Sequence, residues 1–412
     1  MKTKFTFLAG LFLALSLNVM AADITVDPAS TTLTTAYASA ASGDVLILMD
    51  GTYVIDANIT MTKAITIKAQ HPKMAIISGA GFLFSTSSTG NLTVQDVVLD
   101  GAKAAAGTYA SYVVDFNGSA GLIVNNILFE NCTVINYGNC FLRANRVEDT
   151  CESLKVNNCI IKGNGSVAAY PFFQVTKTKF GTGSLELTNS TIADFSNEYI
   201  QNYGTTAGGD NNATYLFKNN TFYNTVTVVA RKPFSFSSGK VYVQNNIFVK
   251  STTGTRTLDV TINAAVTTAE FTNNVVYDYD AGALFNSTGW SLNSGNQEVD
   301  PGFLNVANYD FTLPTGSALV TAKIGDPRWF GIATGVKNTF ANTVNIYPNP
   351  TVDMIYFDKT YHNVKIFSIL GKEIINANQK SNLSLNQLSS GVYIIHLTDS
   401  NGLTSIEKVT KK

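Results

Sequence analysis

Four polar side chains follow a repeated asparagine at nearly constant spacing, and three of them are arginines. Counted from the asparagines at positions 131, 189, 220 and 246, their offsets are 12, 12, 11 and 10: Arg143, Gln201, Arg231 and Arg256. Equivalent positions of stacked strands lie about 4.8 Å apart. A guanidinium group binds a carboxylate through two parallel hydrogen bonds. The spacing therefore predicts a basic strip that binds the carboxylates of a uronic-acid polysaccharide.

Aromatic side chains and a lysine accompany this strip. Tyr170 and Tyr199 fall close to the same offsets, and Lys232 follows Arg231 directly. Aromatic rings are common in the walls of ligand sites, and here they would pack on sugar rings. The predicted substrate-binding residues are Arg143, Gln201, Arg256, Tyr199, Lys232 and Tyr170. The alternative is that the arginines cap polar ladders or form surface ion pairs.

A repeat runs through the middle of the chain and would position these side chains. An Asn or Asp followed by β-forming residues recurs, with successive positions that differ by 30, 32, 31, 31, 26 and 28: Asp96, Asn126, Asn158, Asn189, Asn220, Asn246 and Asn274. Asn131 also fits in place of Asn126. A period of 20–50 residues indicates a solenoid, and asparagine tolerates the left-handed turns that a solenoid needs. The pattern predicts an all-β parallel β-helix rather than a β-sandwich, with residues 31–41 as a helix that caps the first coil.

The start and the end of the repeat region carry a family resemblance. From Ala36 to Ala69, a Gly-Asp pair, an apolar strand, a Gly-Thr-Tyr turn and the strand Ile65-Thr66-Ile67-Lys68-Ala69 follow in order. This stretch resembles the opening of secreted pectate-lyase-like and chondroitinase-B-like proteins, which are right-handed parallel β-helices. Residues 300–329 resemble the last coil of such proteins. The resemblance implies a β-helix over residues 22–331, followed by a linker at 332–342.

Ser196-Asn197-Glu198, the strand Asn220-Thr221-Phe222 and Arg231 follow one another within residues 196–231. This stretch is similar to the active-site segment of the chondroitinase B and alginate lyase family. That family has an acidic Ca²⁺-binding stretch, a Lys base, an Asn-Thr-aromatic strand and then an Arg. The resemblance implies Glu198 as a Ca²⁺ ligand and Arg231 as a catalytic residue. Tyr203 stands where the Lys base belongs, and Ser196 replaces the first acid. β-Elimination needs a base for the C5 proton and a cation for the developing enolate, which are the catalytic roles predicted for Tyr203 and Arg231.

The sequences at both ends of the chain predict its cellular location. Lys2 and Lys4 precede an apolar run, and residues 19–21 offer a cleavage site, so residues 1–21 are predicted to be a signal peptide. Within residues 343–412, the segment Asn345-Ile346-Tyr347-Pro348-Asn349-Pro350, the strand Gly391-Val392-Tyr393-Ile394-Ile395-His396-Leu397 and the basic Lys411-Lys412 follow in order. They predict a small β-sandwich and closely resemble the type A C-terminal sorting domain of type IX secretion substrates. The resemblance implies the type IX secretion machinery as a partner. It also implies a secreted or outer-surface location, with release or attachment to surface lipopolysaccharide.

The net charge and the cysteines bear on possible partners, disulfides and metal sites. Lys and Arg total 28 and Asp and Glu 29, so the net charge of −1 argues against nucleic acid as a partner. We also expect a monomer. The four cysteines, Cys132, Cys140, Cys151 and Cys159, allow three disulfide connectivities in an exported protein. The lack of a CxxC pair or a nearby His argues against a zinc site.

Three functions remain open at this point. The first is a lyase that cleaves an acidic polysaccharide by β-elimination. The second is a non-catalytic, glycan-binding β-helix that lacks the base. The third is a structural or adhesive protein of the cell surface.

Overall fold

The fold is that of a computed structural model, which describes most of the chain. The described residues are 21–85, 90–118, 121–146, 148–163, 170–201, 210, 212–226, 232–250, 260–279, 289–331, 346–368, 372–398 and 404–412. Two compact units are present, and their described residues lie within Met1–Gly302 plus Gly316–Phe330 and within Phe303–Thr315 plus Gly331–Lys412. The predicted signal peptide, except Ala21, and the predicted linker lie outside the described residues.

The first unit consists of short strands that pair in parallel from one coil to the next. The larger sheet contains Asp23–Val26, Val45–Leu48, Ile59–Met61, Ile65–Ala69, Phe82–Phe84, Leu92–Gln95, Tyr112–Phe116, Ile123–Glu130, Cys140–Arg143, Asp149–Asn157, Phe173–Gln174, Thr178–Lys179, Ser184–Thr188, Ile200–Gln201, Thr214–Lys218, Phe234–Gln244, Val260–Thr272 and Leu292–Ser294. The second sheet contains Gly51–Val54, Ala75–Ser78, Val98–Asp100, Thr133–Ile135, Ile160–Lys162, Thr191–Ala193, Thr221–Tyr223, Ile247–Val249, Val275–Tyr277 and Gln297–Glu298.

The pairing register establishes a parallel β-helix. In the second sheet, residues at equivalent strand positions on successive coils pair with one another. One such series is Thr133, Ile160, Thr191, Thr221, Ile247 and Val275. Each coil therefore contributes one strand to the second sheet, whereas most coils contribute two strands to the larger sheet, which thus has two arms. The predicted solenoid is confirmed, and the ambiguous register resolves to Asn131, which stacks on Asp96 through a 2.7 Å side-chain hydrogen bond.

The repeated asparagines form two adjacent ladders, where the sequence indicated one. The outer ladder has left-handed backbones, with φ between 49° and 62°: Asp96, Asn131, Asn158, Asn189, Asn219, Asn245 and Asn273. The inner ladder is the next residue of each coil and is buried. Asn220, Asn246 and Asn274 belong to the inner ladder, so the predicted repeat slips by one position at Asn220.

The inner ladder satisfies buried polar groups along the stack. The backbone N–H of Asn220 donates to Oδ1 of Asn246 at 2.9 Å, and that of Asn246 donates to Oδ1 of Asn274 at 2.9 Å. The side-chain amide of Asn246 donates to the carbonyl of Phe217 at 2.9 Å. Since each of these buried groups has a partner, the ladder stabilises the stacking of coils instead of costing desolvation energy. Earlier coils place Ser190, Cys159, Cys132 and Val97 at this position.

A short helix packs against the first coil, as predicted. It spans Leu33–Ser39, and Thr32 caps it by accepting a hydrogen bond from the backbone of Thr35 at 3.1 Å. Leu33, Ala36 and Tyr37 on the helix are buried in the same hydrophobic core as the coils. The helix therefore covers apolar side chains that the end of a solenoid would otherwise expose.

A strap near the end of the first unit crosses several coils. It comprises residues 325–330 with the 3-10 turn Pro327–Trp329, and it follows the short helix Ala318–Ala322. Its hydrogen bonds reach back along the stack: Gly325 N to Asn245 O, Asp326 N to Thr221 Oγ1, Thr191 Oγ1 to Asp326 Oδ2, and Arg328 to Asn158 O. The strap thus fastens coils that are far apart from it in sequence.

The second unit contains an antiparallel sheet. Its five strands are Ile346–Tyr347, Met354–Ser368, Glu373–Ser384, Gly391–Thr398 and Thr404–Lys411. Its core is formed by Ile355, Phe357, Tyr361, Val364, Ile366, Leu385, Ile395, Leu397 and Val409. The 3-10 turn Val306–Asn308 also belongs to this unit. The predicted all-β architecture, a parallel β-helix followed by a small antiparallel domain, is confirmed. No helix in the described part of the chain is long and apolar enough to span a membrane.

Candidate functional site

One outward-facing row on the larger sheet contains two of the predicted site residues. The register places Asp115, Arg143, Gln174, Gln201 and Ser235 at equivalent positions on successive coils. Side chains alternate along a strand, and the residue before each of these is buried in the core, so the row lies on the outer face of the sheet. Asp115 and Gln174 are themselves largely covered there. We call these five residues the outward row. Arg143 and Gln201 lie two coils apart in it.

Gln174 and Asp115 belong to the row but were not predicted. Gln174 lies at an offset of 16 from Asn158, beyond the offsets used for the other coils, because more residues separate its strand from the repeated asparagine. Asp115 is recognisable as part of the row only through its pairing with Arg143 in the next coil. A sequence signal existed for neither residue, since loop length varies from coil to coil while the strand register does not.

The guanidinium of Arg143 is already occupied within the protein. Its Nε and NH2 donate to the two carboxylate oxygens of Asp115 at 2.7 and 2.5 Å, and NH1 donates to the hydroxyl of Tyr112 at 3.0 Å. Its Cζ lies 4.1 Å from the centre of the Tyr112 ring. Arg143 is therefore part of a structural ion pair. The prediction that it grips a uronate carboxylate is corrected, because its bidentate fork is filled.

Two tyrosines and a glutamine amide surround this ion pair. The ring centres of Tyr112 and Tyr170 are 6.1 Å apart, and both side chains are half-buried. Burial raises the pKa of Tyr112, an effect that the charge of Arg143 opposes. Gln174 is buried, and its Oε1 accepts no hydrogen bond from the residues that the structure describes. A buried acceptor of this kind is commonly satisfied by an ordered water.

Tyr199 does not lie on the surface strip predicted for it. Its side chain is 1% exposed, with its ring centre 4.3 Å from that of Phe222 and 5.2 Å from that of Phe234. Its hydroxyl shares a 2.5 Å hydrogen bond with Thr225. The prediction that Tyr199 binds substrate is wrong for this structure, because the residue points into the solenoid core.

The described residues around Glu198 do not by themselves supply a Ca²⁺ site. Glu198 is 6% exposed, and Ser196 and Asn197 beside it are also buried. Across the described ranges, no group of three or more His, Cys, Asp or Glu side chains converges in a way that would hold a metal ion. Ca²⁺ takes six to eight oxygen ligands, several from carboxylates. We therefore derive no chemical step through Ca²⁺.

Lys232 lies beside the outward row, and the remaining predicted residues cannot be placed. The carbonyl of Pro233 accepts the N–H of Tyr199 at 2.8 Å, which sets Lys232 at the level of Glu198 one coil away. Lys232 is half-buried. Arg231, Tyr203 and Arg256 lie outside the described residues. The structure thus brings together Arg143, Gln201 and, through Tyr112, Tyr170.

A separate open groove lies on the first coils. Its volume is about 480 Å³, and Val45, Ile47, Lys68, Gln70 and Gln95 are among its lining residues. The groove lies on strands that belong to the other arm of each coil. It contains none of the predicted site residues.

Comparison with known proteins identifies the end of the chain. Residues 345–412 match the family described as "Secretion system C-terminal sorting domain". The chain ends in a sorting domain. This sorting domain indicates export by type IX secretion to the cell surface or the extracellular space. The predicted destination is therefore confirmed.

The β-helix matches families without an assigned function. Residues 51–195 match a "Domain of unknown function (DUF4957)", and residues 215–329 match a "Domain of unknown function (DUF5123)". The second match ends at Trp329, inside the strap. No curated protein sequence matches the chain.

Solved structures with a similar fold include polysaccharide lyases. The PL6 family alginate lyase AlyGC is 19% identical with a TM-score of 0.47, and the match covers 68% of this chain and 40% of that one. The pectate lyase Pel9A is 14% identical with a TM-score of 0.37, covering 73% of this chain and 89% of that one. This chain thus spans less than half the length of the alginate lyase. The strand register, rather than these likenesses, carries the assignment of fold.

Proposed function

We propose that this protein is an exported β-helix that binds a polysaccharide along the outward row. The observation that carries the proposal is the register of the row, which sets the amides of Gln174 and Gln201 on successive coils, next to Arg143. Amide groups both donate and accept hydrogen bonds. A row of them therefore suits a ligand rich in hydroxyl groups.

The solenoid geometry favours a polymer over a small ligand. Successive coils repeat the row about every 4.8 Å, so a chain of sugar units that lies along the axis meets a similar group at each coil. Tyr170 and Tyr112 supply aromatic surface at one end of the row. Lys232, together with the predicted Arg231 and Arg256, would supply positive charge for an acidic polysaccharide.

A polysaccharide lyase is the second candidate. The observation that favours it is Lys232, which lies beside Arg231 in sequence and closely precedes the strand of Ser235 in the outward row. In this interpretation Arg231 would neutralise the uronate carboxylate and Tyr203 would remove the C5 proton. The predicted base, Tyr203, lies outside the described residues, and the primary proposal rests on the described residues alone, so it is binding without cleavage.

The fate of the sorting domain is a further part of the proposal. We infer that it is removed during export and that the mature chain is released or attached to surface lipopolysaccharide. We also infer that the mature chain is a monomer. Mass spectrometry of the surface fraction would give the new C-terminus and any attached glycolipid.

The first experiment separates binding from cleavage. The purified protein is run in native gels that contain alginate, pectate or chondroitin sulfate, and the same glycans are assayed for unsaturated ends by ultraviolet absorbance. Retarded migration without new absorbance supports the binder, and absorbance that disappears in Arg231→Ala supports the lyase. If neither signal appears with any acidic glycan, the proposal fails and a structural surface role remains.

A further inference from the structure

Two cysteines occupy the inner ladder on neighbouring coils. Cys132 and Cys159 immediately precede Thr133 and Ile160, which are paired in register, and both cysteines are fully buried. The backbone N–H of Cys132 lies 3.4 Å from Sγ of Cys159. No disulfide joins them in this structure. The two thiols nevertheless stand directly above one another in the stack.

As ladder members, these thiols make weaker contacts than the asparagines of later coils. Sγ of Cys132 lies 3.4 Å from the carbonyl of Val94, and Sγ of Cys159 lies 3.6 Å from that of Phe129. The equivalent side-chain amides of Asn220 and Asn274 donate to strand carbonyls at 2.8 Å. A thiol is a weak donor. The ladder therefore loses little if these two sulfur atoms bond to each other instead.

The stacking geometry suits a bridge between Cys132 and Cys159. Equivalent residues on adjacent parallel strands have Cα atoms about 4.8 Å apart, within the range of roughly 4.4–6.8 Å found in disulfides. Both side chains enter the same core. A change of rotamer at Cys132 turns its sulfur from the carbonyl of Val94 towards the next coil.

The other two cysteines have no such neighbour. Cys140 pairs with Tyr112 on the preceding coil, and Cys151 pairs with Val124. Both thiols are buried. The sequence allowed three connectivities, and only the one with a 132–159 bond joins two cysteines that stack on each other. The remaining pair in that connectivity, Cys140 and Cys151, lies on different strands.

We propose that Cys132 and Cys159 form a disulfide in the exported protein, whereas Cys140 and Cys151 remain thiols. The sorting domain directs the chain out of the cell through an envelope compartment that favours disulfides. Two S–H bonds break and one S–S bond forms. The two electrons and two protons pass to the disulfide of an envelope thiol oxidant, which becomes a dithiol. The bond forms before the coils stack, because stacking buries both sulfur atoms.

Alkylation of the full exported chain tests the bridge. One sample is denatured and alkylated without reduction, and a second sample is reduced before alkylation. Peptide mass spectrometry then locates the labelled cysteines in each. We expect two labelled cysteines, 140 and 151, before reduction and four afterwards. Digestion without reduction yields one cross-linked peptide pair that contains positions 132 and 159. The same chain retained in the cytosol labels at all four positions.

Two variants make the result specific. Cys132→Ser releases Cys159, so three cysteines label before reduction. The matched control Cys140→Ser with Cys151→Ser leaves none to label before reduction and two afterwards. Four labelled cysteines in the exported wild-type chain, or a cross-link between any other pair, overturns the proposal. In that case Cys132 and Cys159 are only weakly polar members of the inner ladder, between the apolar Val97 and the polar Ser190.

Discussion

The carboxylate of Asp115 holds the guanidinium of Arg143, on the next coil, at 2.7 and 2.5 Å. The two side chains are 6% and 12% exposed. This contact decides how the outward row is interpreted. Because Arg143 is neutralised inside the protein, ligand recognition at this end of the row depends on the amides of Gln174 and Gln201 and on the nearby tyrosines. This end of the row therefore does not present a strip of unpaired arginines.

Loss of one partner of this ion pair should destabilise the protein. Asp115→Asn leaves the Arg143 charge nearly buried without its counter-charge, and such changes cost about 3–5 kcal/mol. The measurement is the urea midpoint of the full chain. Replacing both partners, with Asp115→Leu and Arg143→Met, should recover most of the loss, because a buried pair exchanged for apolar residues is often neutral. If Asp115→Asn leaves the midpoint unchanged, the pair is not structural.

The strap should make stability fall as the pH rises from about 4 to about 6. Burial raises the pKa of Asp326 to about 6, and Arg328 only partly offsets this. A carboxyl group whose pKa is higher in the folded state binds protons more tightly there than in the unfolded chain, where its pKa is about 3.9. The folded state is therefore favoured at acidic pH, by roughly 3 kcal/mol at most.

Urea midpoints of the wild type and of Asp326→Asn, taken at intervals between pH 4 and pH 7, test this dependence. The wild type should lose stability relative to the variant as pH rises through that window. The exposed Asp56→Asn serves as the control and should follow the wild type. Parallel curves for wild type and Asp326→Asn would contradict the expectation.

The middle of the inner ladder should be more sensitive than its end. Asn246→Ala removes the acceptor of the buried Asn220 N–H and the donor to the carbonyl of Phe217. Each unsatisfied buried group costs about 1–3 kcal/mol, so the unfolding free energy should drop by about 2–5 kcal/mol. Asn296 is the half-exposed residue that accepts the next hydrogen bond of the inner ladder, from the N–H of Asn274 at 2.8 Å. Asn296→Ala should cost less than half as much. Equal losses at the two positions would show that the ladder is not the cause.

Removal of the sorting domain should stop export without unfolding the β-helix. A chain truncated after position 344 lacks the strands that match the sorting family, so it should accumulate inside the outer membrane. Cell fractionation with immunoblotting measures this distribution, and the surface substitution Val352→Ala in the full chain is the control. Truncated protein on the cell surface would mean that another segment directs export.

The sequence predicted the solenoid better than it predicted the site, and particular residues show why. Repeated Asn residues report local turn geometry, so the stacking was readable along the chain. Where two asparagines are adjacent, as in Asn245-Asn246, nothing local distinguishes the left-handed residue from the buried one, which explains the one-position slip. The burial of Tyr199 and the pairing of Arg143 with Asp115 depend on neighbouring coils, a full repeat away along the chain, and no local pattern records them.

The central claim is that Gln174 and Gln201 contact a polysaccharide, and calorimetric titration measures it most directly. The glycan that retards the protein most strongly is titrated into the wild type and into a Gln174→Ala, Gln201→Ala double variant. Loss of two or more hydrogen bonds worth about 0.5–1.5 kcal/mol each should weaken the Kd by about tenfold or more. The matched control Gln244→Ala, an amide on the other arm of the sheet, should bind like the wild type. An unchanged Kd in the double variant would contradict the account.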